Sequence, residues 1–348
     1  MKKITITLLA ALAVSGGLNG CSMLTRGFED NPNTASDAPA TLQLTAAQLA
    51  EGFFMSGESA RTANIWAGAF RGFDRQYQAL QNYITTTQDY NNPWTQAYQE
   101  SLTQLRIVES KASTLGNRQL LGIAQVTEAQ MIGTVTSLWG SVPYSQAFVE
   151  NTPPAFDAQA DVYAAIQTLL TTAITNLSVT SGAGASIPAD IYYGGNRLRW
   201  IAAAHSLKAR YYLHTKNYAQ ALTEAQQGIS ASTNDMLMPY DGVVSVSANP
   251  YWDFINNRTN YIDGVDAYAP GLLLARINTK TNETGRYKYF YNDSDPDIYS
   301  PRDPNWIDGA FQADSDFPLI SYVETQAIAA ECQARAGNTS GALTAINN

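Results

Sequence analysis

Five residues of one segment recur at a fixed offset. Ala209, Asn217, Ala221, Leu222 and Thr223 return 121 positions later as Ala330, Asn338, Ala342, Leu343 and Thr344. Self-similarity at constant spacing implies one structural unit used twice and stacked, because a lone helix pair cannot bury its own apolar face. Alanines at matched turns let two antiparallel helices approach closely, and Lys216-Asn217 and Gly337-Asn338 mark the tight connection within each copy. The copies are not adjacent. Between them lies an insertion from about Met236 to Pro318, rich in Tyr, Trp, Asn, Asp, Gly and Pro. A long insertion on a helical scaffold tends to lie on one face, and that face is often the binding face.

Helical periodicity continues outside the repeat. Leu42, Leu49 and Phe53 share a spacing, as do Trp66, Phe70, Phe73, Tyr77 and Leu80, and both stripes are expected to face a core. Asn91-Asn92-Pro93 interrupts the pattern, after which a helix from Trp94 turns Tyr98, Leu102 and Leu105 inward. Further helices are expected over about 118–138 and over 157–177, where Val162, Ile166, Leu169 and Ile174 share a face. Residues 181–186 form a Gly/Ala/Ser linker, and 22–41, polar and without a period, form a tether. The expected fold is mainly α, a helical repeat scaffold carrying a long, irregular, loop-rich insertion. Its single domain spans 42–348.

The N-terminus fixes the compartment. Lys2 and Lys3 precede an apolar stretch from Ile4 to Val14 and the small residues Ser15, Gly16 and Gly17, the pattern of a secretory signal peptide over 1–20. Spanning a bilayer takes roughly 20 apolar residues, more than this stretch supplies. Leu18-Asn19-Gly20-Cys21 resembles a lipobox, which makes Cys21 the lipidation site. More than one acyl chain on that cysteine gives durable anchoring, at about 0.8 kcal/mol per buried methylene. The chain carries a formal charge of −9, and a body this acidic is repelled by phosphates, so nucleic acid is not an expected partner. With Cys21 committed to lipid, Cys332 has no disulfide partner and is expected to be a small buried hydrophobe.

Three motifs resemble those of the SusD/RagB family of nutrient-binding outer membrane lipoproteins of Bacteroidetes. Trp139-Gly140-Ser141-Val142-Pro143-Tyr144-Ser145-Gln146-Ala147 is similar to the family's WGDVPYSEA element, with Ser141 at the usual Asp. Pro154-Ala155-Phe156-Asp157-Ala158-Gln159 with Val162-Tyr163 resembles PxFDxQxxVY. Asp190 to Asn196, then Trp200, then His205 to Arg210 resemble the series DxxYxGD, W, NSLKxR, with Asn196 and His205 as departures. The segment from Pro318 to Ala336, with Glu324, resembles the later repeat, and both helix pairs resemble tetratricopeptide units. The resemblance implies a SusD-like helical scaffold that captures an oligosaccharide or peptide and passes it to a SusC-like TonB-dependent transporter. It also implies that Trp139, Tyr144, Trp200 and Arg210 are packing and hydrogen-bonding elements. The family domain usually runs on past the second repeat, so its C-terminal part is expected to be missing from a sequence ending at Asn348.

Catalytic and metal chemistry finds little support in the sequence. His205 and His214 lie nine residues apart on one helix, at roughly 900° of turn, and face opposite ways, against a shared zinc site. Asp293, Asp295 and Asp297 imitate the start of a calcium loop, but Ile298 and Pro304 stand where Gly and Glu are required. The sequence has no GxSxG, P-loop or HExxH motif. A binding protein without catalytic residues, metal or cofactor is therefore expected; a secreted hydrolase and a protein-binding adaptor are the alternatives. The ligand is expected in the insertion, at Tyr251, Trp252, Tyr261 and Tyr268 with Asn256, Asn257 and Arg258. The segment from Tyr83 to Trp94 is the next candidate.

Overall fold

The computed structural model describes residues 38–149, 153–180, 186–258, 260–291 and 309–347. The signal peptide, Cys21, the tether up to residue 37, linker residues 181–185 and the aspartates Asp293, Asp295 and Asp297 lie outside the described residues.

Helix α1 (Ala40–Ser56) buries Leu44, Ala47 and Phe54 together with Gln48 and Glu51, while Leu42, Leu49 and Phe53 face outward. The expected stripe is therefore the wrong face of a correctly placed helix. The reason is long-range pairing. Gln48 Nε2 donates to Asp190 Oδ1 at 2.9 Å, its Oε1 accepts from the Ile191 amide at 3.0 Å, and Tyr192 Oη donates to Glu51 Oε2 at 3.0 Å. Gln48 is paired through both ends of its amide and Glu51 through Oε2, and these long-range bonds select the buried face.

The second stripe is broken among α2 (Glu58–Trp66), β1 (Arg71–Gly72) and α3 (Arg75–Gln81) by a turn in which Gly68 takes φ of +71°. Phe70, Tyr77 and Leu80 are buried, but Trp66 and Phe73 are not. A 3-10 turn (Thr87–Tyr90) leads into α4 (Asn91–Trp94), a π-helical segment (Thr95–Leu102) and α5 (Thr103–Thr114), which run on without a break. Pro93 sits in the first turn of this helix, where its missing amide costs nothing.

Helix α6 (Arg118–Trp139) is capped by the Asn117 side chain, which accepts from the Leu120 amide at 3.0 Å, and is buried along most of its length. Helices α7 (Gln159–Ser178) and α8 (Arg197–His214) pack on it. Gly133 permits the approach of α8, since a Cβ there would stand 2.2 Å from the Tyr211 ring.

The repeat is visible as geometry. Helices α8 and α9 (Tyr218–Ala225) form one pair, and α13 (Tyr322–Arg335) and α14 (Thr339–Asn347) form the other. Lys216 and Gly337, at equivalent positions, both turn in left-handed conformation, with φ of +61° and +77°. The next residue caps in each copy. Asn217 Oδ1 accepts from the Gln220 amide and Asn338 Oδ1 from the Gly341 amide. The pairs stack through Ala209, Ala221 and Ala225 against Ile328, Ala329 and Cys332, and Arg210 Nε donates to Glu324 Oε1 at 2.6 Å. The protein is thus a mainly helical, tetratricopeptide-like scaffold.

The insertion leaves and rejoins this scaffold on one antiparallel pair, β2 (Met236–Met238) with β4 (Phe317–Ile320). Its interior is more regular than expected: α10 (Pro250–Asn257), β3 (Ile262–Asp263), α11 (Tyr268–Ala275) and α12 (Thr284–Phe290). Strand β3 pairs with β1, with Arg71 opposite Asp263 and their side chains 2.8 Å apart. Phe70, Tyr77 and Leu80 join Tyr251, Phe254, Ile262, Tyr287 and Tyr291 in a second core, so the insertion packs against α2 and α3.

Candidate binding site

The folding of the insertion buries some of the expected ligand residues and exposes others. Asn249 caps α10 by accepting from the amides of Tyr251 and Trp252, and Pro250 occupies the first turn. Tyr251, Phe254 and Ile255 then share the buried face at i, i+3 and i+4. Tyr251 is 0% exposed, with Phe311 at 4.7 Å and Phe70 at 5.8 Å between ring centres, and is a core residue rather than a ligand platform. Trp252 is half-buried; Asn256, Asn257 and Arg258 are exposed. Asn257 spends its amide on Asp253 within the helix, and Arg258 lies over the Phe254 ring at 5.2 Å. Half-buried Tyr261 packs on Phe254 at 6.1 Å. Tyr268 is 71% exposed and sits beside Gly68, whose carbonyl accepts from the Ala269 amide.

A cleft of about 410 Å³ opens instead between α2, the Asp89–Trp94 segment and the last turn of α6. Its size is that of a small-molecule site. Helix α2 presents Glu58, Ser59, Thr62 and Trp66, one face at helical spacing. Trp66 is 38% exposed, and its Nε1 donates to the Leu80 carbonyl at 2.8 Å, which fixes the indole. Tyr83 stacks on it at 6.0 Å and 28°, with its own ring 72% exposed.

Trp94 forms the opposite wall. It stacks on Tyr98, one helical turn on, at 4.5 Å and on Trp139 at 5.6 Å, yet remains 38% exposed. Tyr90 and Phe54 meet Trp139 edge-on at 6.5 and 6.0 Å. The π-helical register sets this ladder: the Thr103 amide bonds back to the Tyr98 carbonyl, which also accepts from Thr103 Oγ1 at 2.7 Å. Such π segments are frequent at functional sites. Tyr98 Oη in turn donates to the Pro143 carbonyl at 2.8 Å, locking the ladder to the loop after α6.

That loop is held by Asp157, which accepts from the amides of Tyr144 and Ser145 and from the Ser145 hydroxyl. These bonds keep its carboxyl below the ordinary range, the Ser145 hydroxyl contributing most. The loop's Tyr144 Oη donates to buried Glu128 Oε1 at 2.6 Å, and Arg106 reaches the same oxygen at 2.7 Å. Trp139 thus does more than pack. It stacks on Trp94 and is itself a lining residue of the cleft.

Polar groups complete the site. Glu58 Oε2 accepts from Asn92 Nδ2 at 3.3 Å, and Asp89 Oδ2 accepts from the Thr86 amide and hydroxyl at 2.6 and 3.0 Å. Ser59, Thr62 and Ser137 add hydroxyls. The two imidazoles are separate: His205 Nδ1 lies 2.6 Å from Glu224, and His214 Nδ1 lies 3.1 Å from Tyr163 Oη. Among the described residues no group of three or more His, Cys, Asp or Glu side chains is placed to hold a metal ion. No helix among them is long and apolar enough to cross a membrane.

Stacked helix pairs carrying an open aromatic cleft define a helical-repeat binding protein. The SusD-like family, described as starch-binding and associating with the outer membrane, matches residues 32–347, and the chain belongs to it. Proteins of this family are non-catalytic, outer-membrane-associated binding proteins, and this chain is one. Solved structures show the same fold. A SusD/RagB family protein from Bacteroides thetaiotaomicron is 21% identical, with a TM-score of 0.70 over 89% of this chain and 71% of that one. A SusD homologue from Bacteroides uniformis is 20% identical, with a TM-score of 0.66 over 89% and 69%. A chitin-binding SusD homologue from Flavobacterium johnsoniae is 18% identical, with a TM-score of 0.66 over 88% and 67%. No curated protein sequence matches the chain.

Proposed function

We propose that this protein is a lipid-anchored cell-surface receptor that binds an oligosaccharide in the cleft walled by Trp66, Trp94 and Trp139. It then delivers the ligand to a SusC-like TonB-dependent transporter. The observation that carries the ligand class is the aromatic lining: indole surface packs against the C–H faces of sugar rings, while carboxylates and hydroxyls accept and donate to sugar hydroxyls. The starch-binding description of the family and the chitin-binding relatives support carbohydrate over peptide. The second core, which includes Ile65 of α2, braces that helix from the side of the insertion. Anchoring rests on Cys21.

Calorimetric titration with a panel of starch, chitin and other oligosaccharides tests the assignment. The ligand found should lose about 1 to 3 kcal/mol of binding on Trp94→Ala, with helix content unchanged, as a stacking anchor does. Unchanged affinity in Trp94→Ala and in Trp66→Ala would remove the ligand from this cleft.

A further inference from the structure

The charges around the cleft are one-sided. Glu58 and Asp89 both line it, both are half-buried, and their bonds go to an amide side chain, a backbone amide and a hydroxyl, none of which carries charge. No Lys, Arg or His is among the described residues that line it. Arg61, on α2 itself, is turned away: its Nε donates to Tyr77 Oη at 2.8 Å, and its guanidinium lies 4.3 Å from the Phe254 ring centre. His214 stands behind Ser137, Nδ1 to Oγ 3.5 Å, and burial together with Arg210 holds its pKa below the ordinary imidazole value, which favours the neutral ring. The cleft is therefore a negatively charged pocket walled by electron-rich ring systems, two features that both attract cations.

Building on the proposed carbohydrate site, we infer that Glu58 is a specificity-determining residue. It makes the cleft select oligosaccharides bearing free ammonium groups, such as deacetylated amino sugars, over those bearing carboxylate or sulfate. An ammonium beside Glu58 gains a charge-assisted hydrogen bond, which a neutral acetamido group at the same carbon cannot form. A uronate or sulfate there meets the like charge of Glu58 and Asp89.

Three matched tetrasaccharides test this on the full chain: glucosamine, N-acetylglucosamine and galacturonate oligomers, titrated at mildly acidic pH. The glucosamine tetramer should bind about tenfold tighter than the N-acetylated one, the advantage should shrink as salt is raised, and galacturonate should not bind. Glu58→Gln should abolish the difference between the first two, with the circular dichroism spectrum unchanged. Equal affinity for the first two in the parent protein, or a preference that survives Glu58→Gln, overturns the inference but leaves the carbohydrate site standing. Basic peptides that bind as tightly as the amino sugar, with the same dependence on Glu58, overturn the saccharide assignment. Absence of binding by all three, alongside a starch or other neutral oligosaccharide that loses affinity in Trp94→Ala, also refutes the ammonium preference alone.

Discussion

Replacing Asp190 by Asn should unfold the protein far more easily than its near-identical shape suggests. The carboxylate is 2% exposed and accepts four hydrogen bonds. Oδ1 takes Gln48 Nε2 at 2.9 Å and the Tyr192 amide at 3.2 Å; Oδ2 takes the Gly195 amide at 2.8 Å and Trp200 Nε1 at 2.6 Å. An asparagine keeps one acceptor oxygen and turns an NH2 group toward the other two donors, whichever way it flips. Two charge-assisted bonds are lost and their donors stay buried, which at about 1.5 to 3 kcal/mol each gives roughly 3 to 6 kcal/mol. For a domain of this length, an unfolding entropy of roughly 0.6 kcal/mol per degree converts that into a fall in Tm of about 5 to 10 °C. Urea unfolding followed by circular dichroism and by tryptophan fluorescence measures it. A loss below about 1 kcal/mol, with the slope unchanged, would show that Asp190 does not organise the Asp190–Trp200 segment against α1.

Burial, reinforced by Glu128 and opposed by Arg106, pushes the Glu109 carboxyl up to about 9, so the folded protein holds a proton that the unfolded chain releases near the ordinary value. Stability should therefore fall as pH rises through that window, by up to about 1.4 kcal/mol per unit, and Glu109→Gln should flatten the dependence of Tm on pH; a slope equal to the parent's would contradict this. Tyr251→Ala should destabilise by about 3 to 5 kcal/mol through loss of a filled core site while leaving oligosaccharide affinity within about twofold when measured well below its Tm; a large affinity loss would return the site to the insertion. Cys21→Ala should move the protein from membranes to the soluble fraction, and undiminished pelleting with outer membranes would refute the lipid anchor.

The scaffold was legible because its signals are local and repeated. The offset of 121 residues between Ala209 and Ala330 appears again in the φ of Lys216 and Gly337 and in the caps made by Asn217 and Asn338. The outward face of α1 was misassigned because helical period identifies two faces, and the buried one is chosen by Asp190 and Tyr192, about 140 residues away, pairing with Gln48 and Glu51. The cleft was hidden for a related reason. Trp66, Trp94 and Trp139 come from three separate elements, and each also sits on a stripe or motif that accounts for it as packing. Only the Tyr83 to Trp94 segment, Asn-rich and aromatic around a helix start, carried a local hint. In the insertion, Asn249-Pro250 is a cap followed by a first-turn proline, and that signal foretells the helix that takes Tyr251 inward.

Oxidative footprinting of the tryptophans, with and without the bound oligosaccharide, tests the location of the site most directly. Ligand should protect Trp66, Trp94 and Trp139 from oxidation, leave Trp252 as reactive as before, and have no effect on Trp200, which is buried in either state. Protection of Trp252 with unchanged oxidation of the three cleft indoles would place the ligand on the insertion and contradict the account.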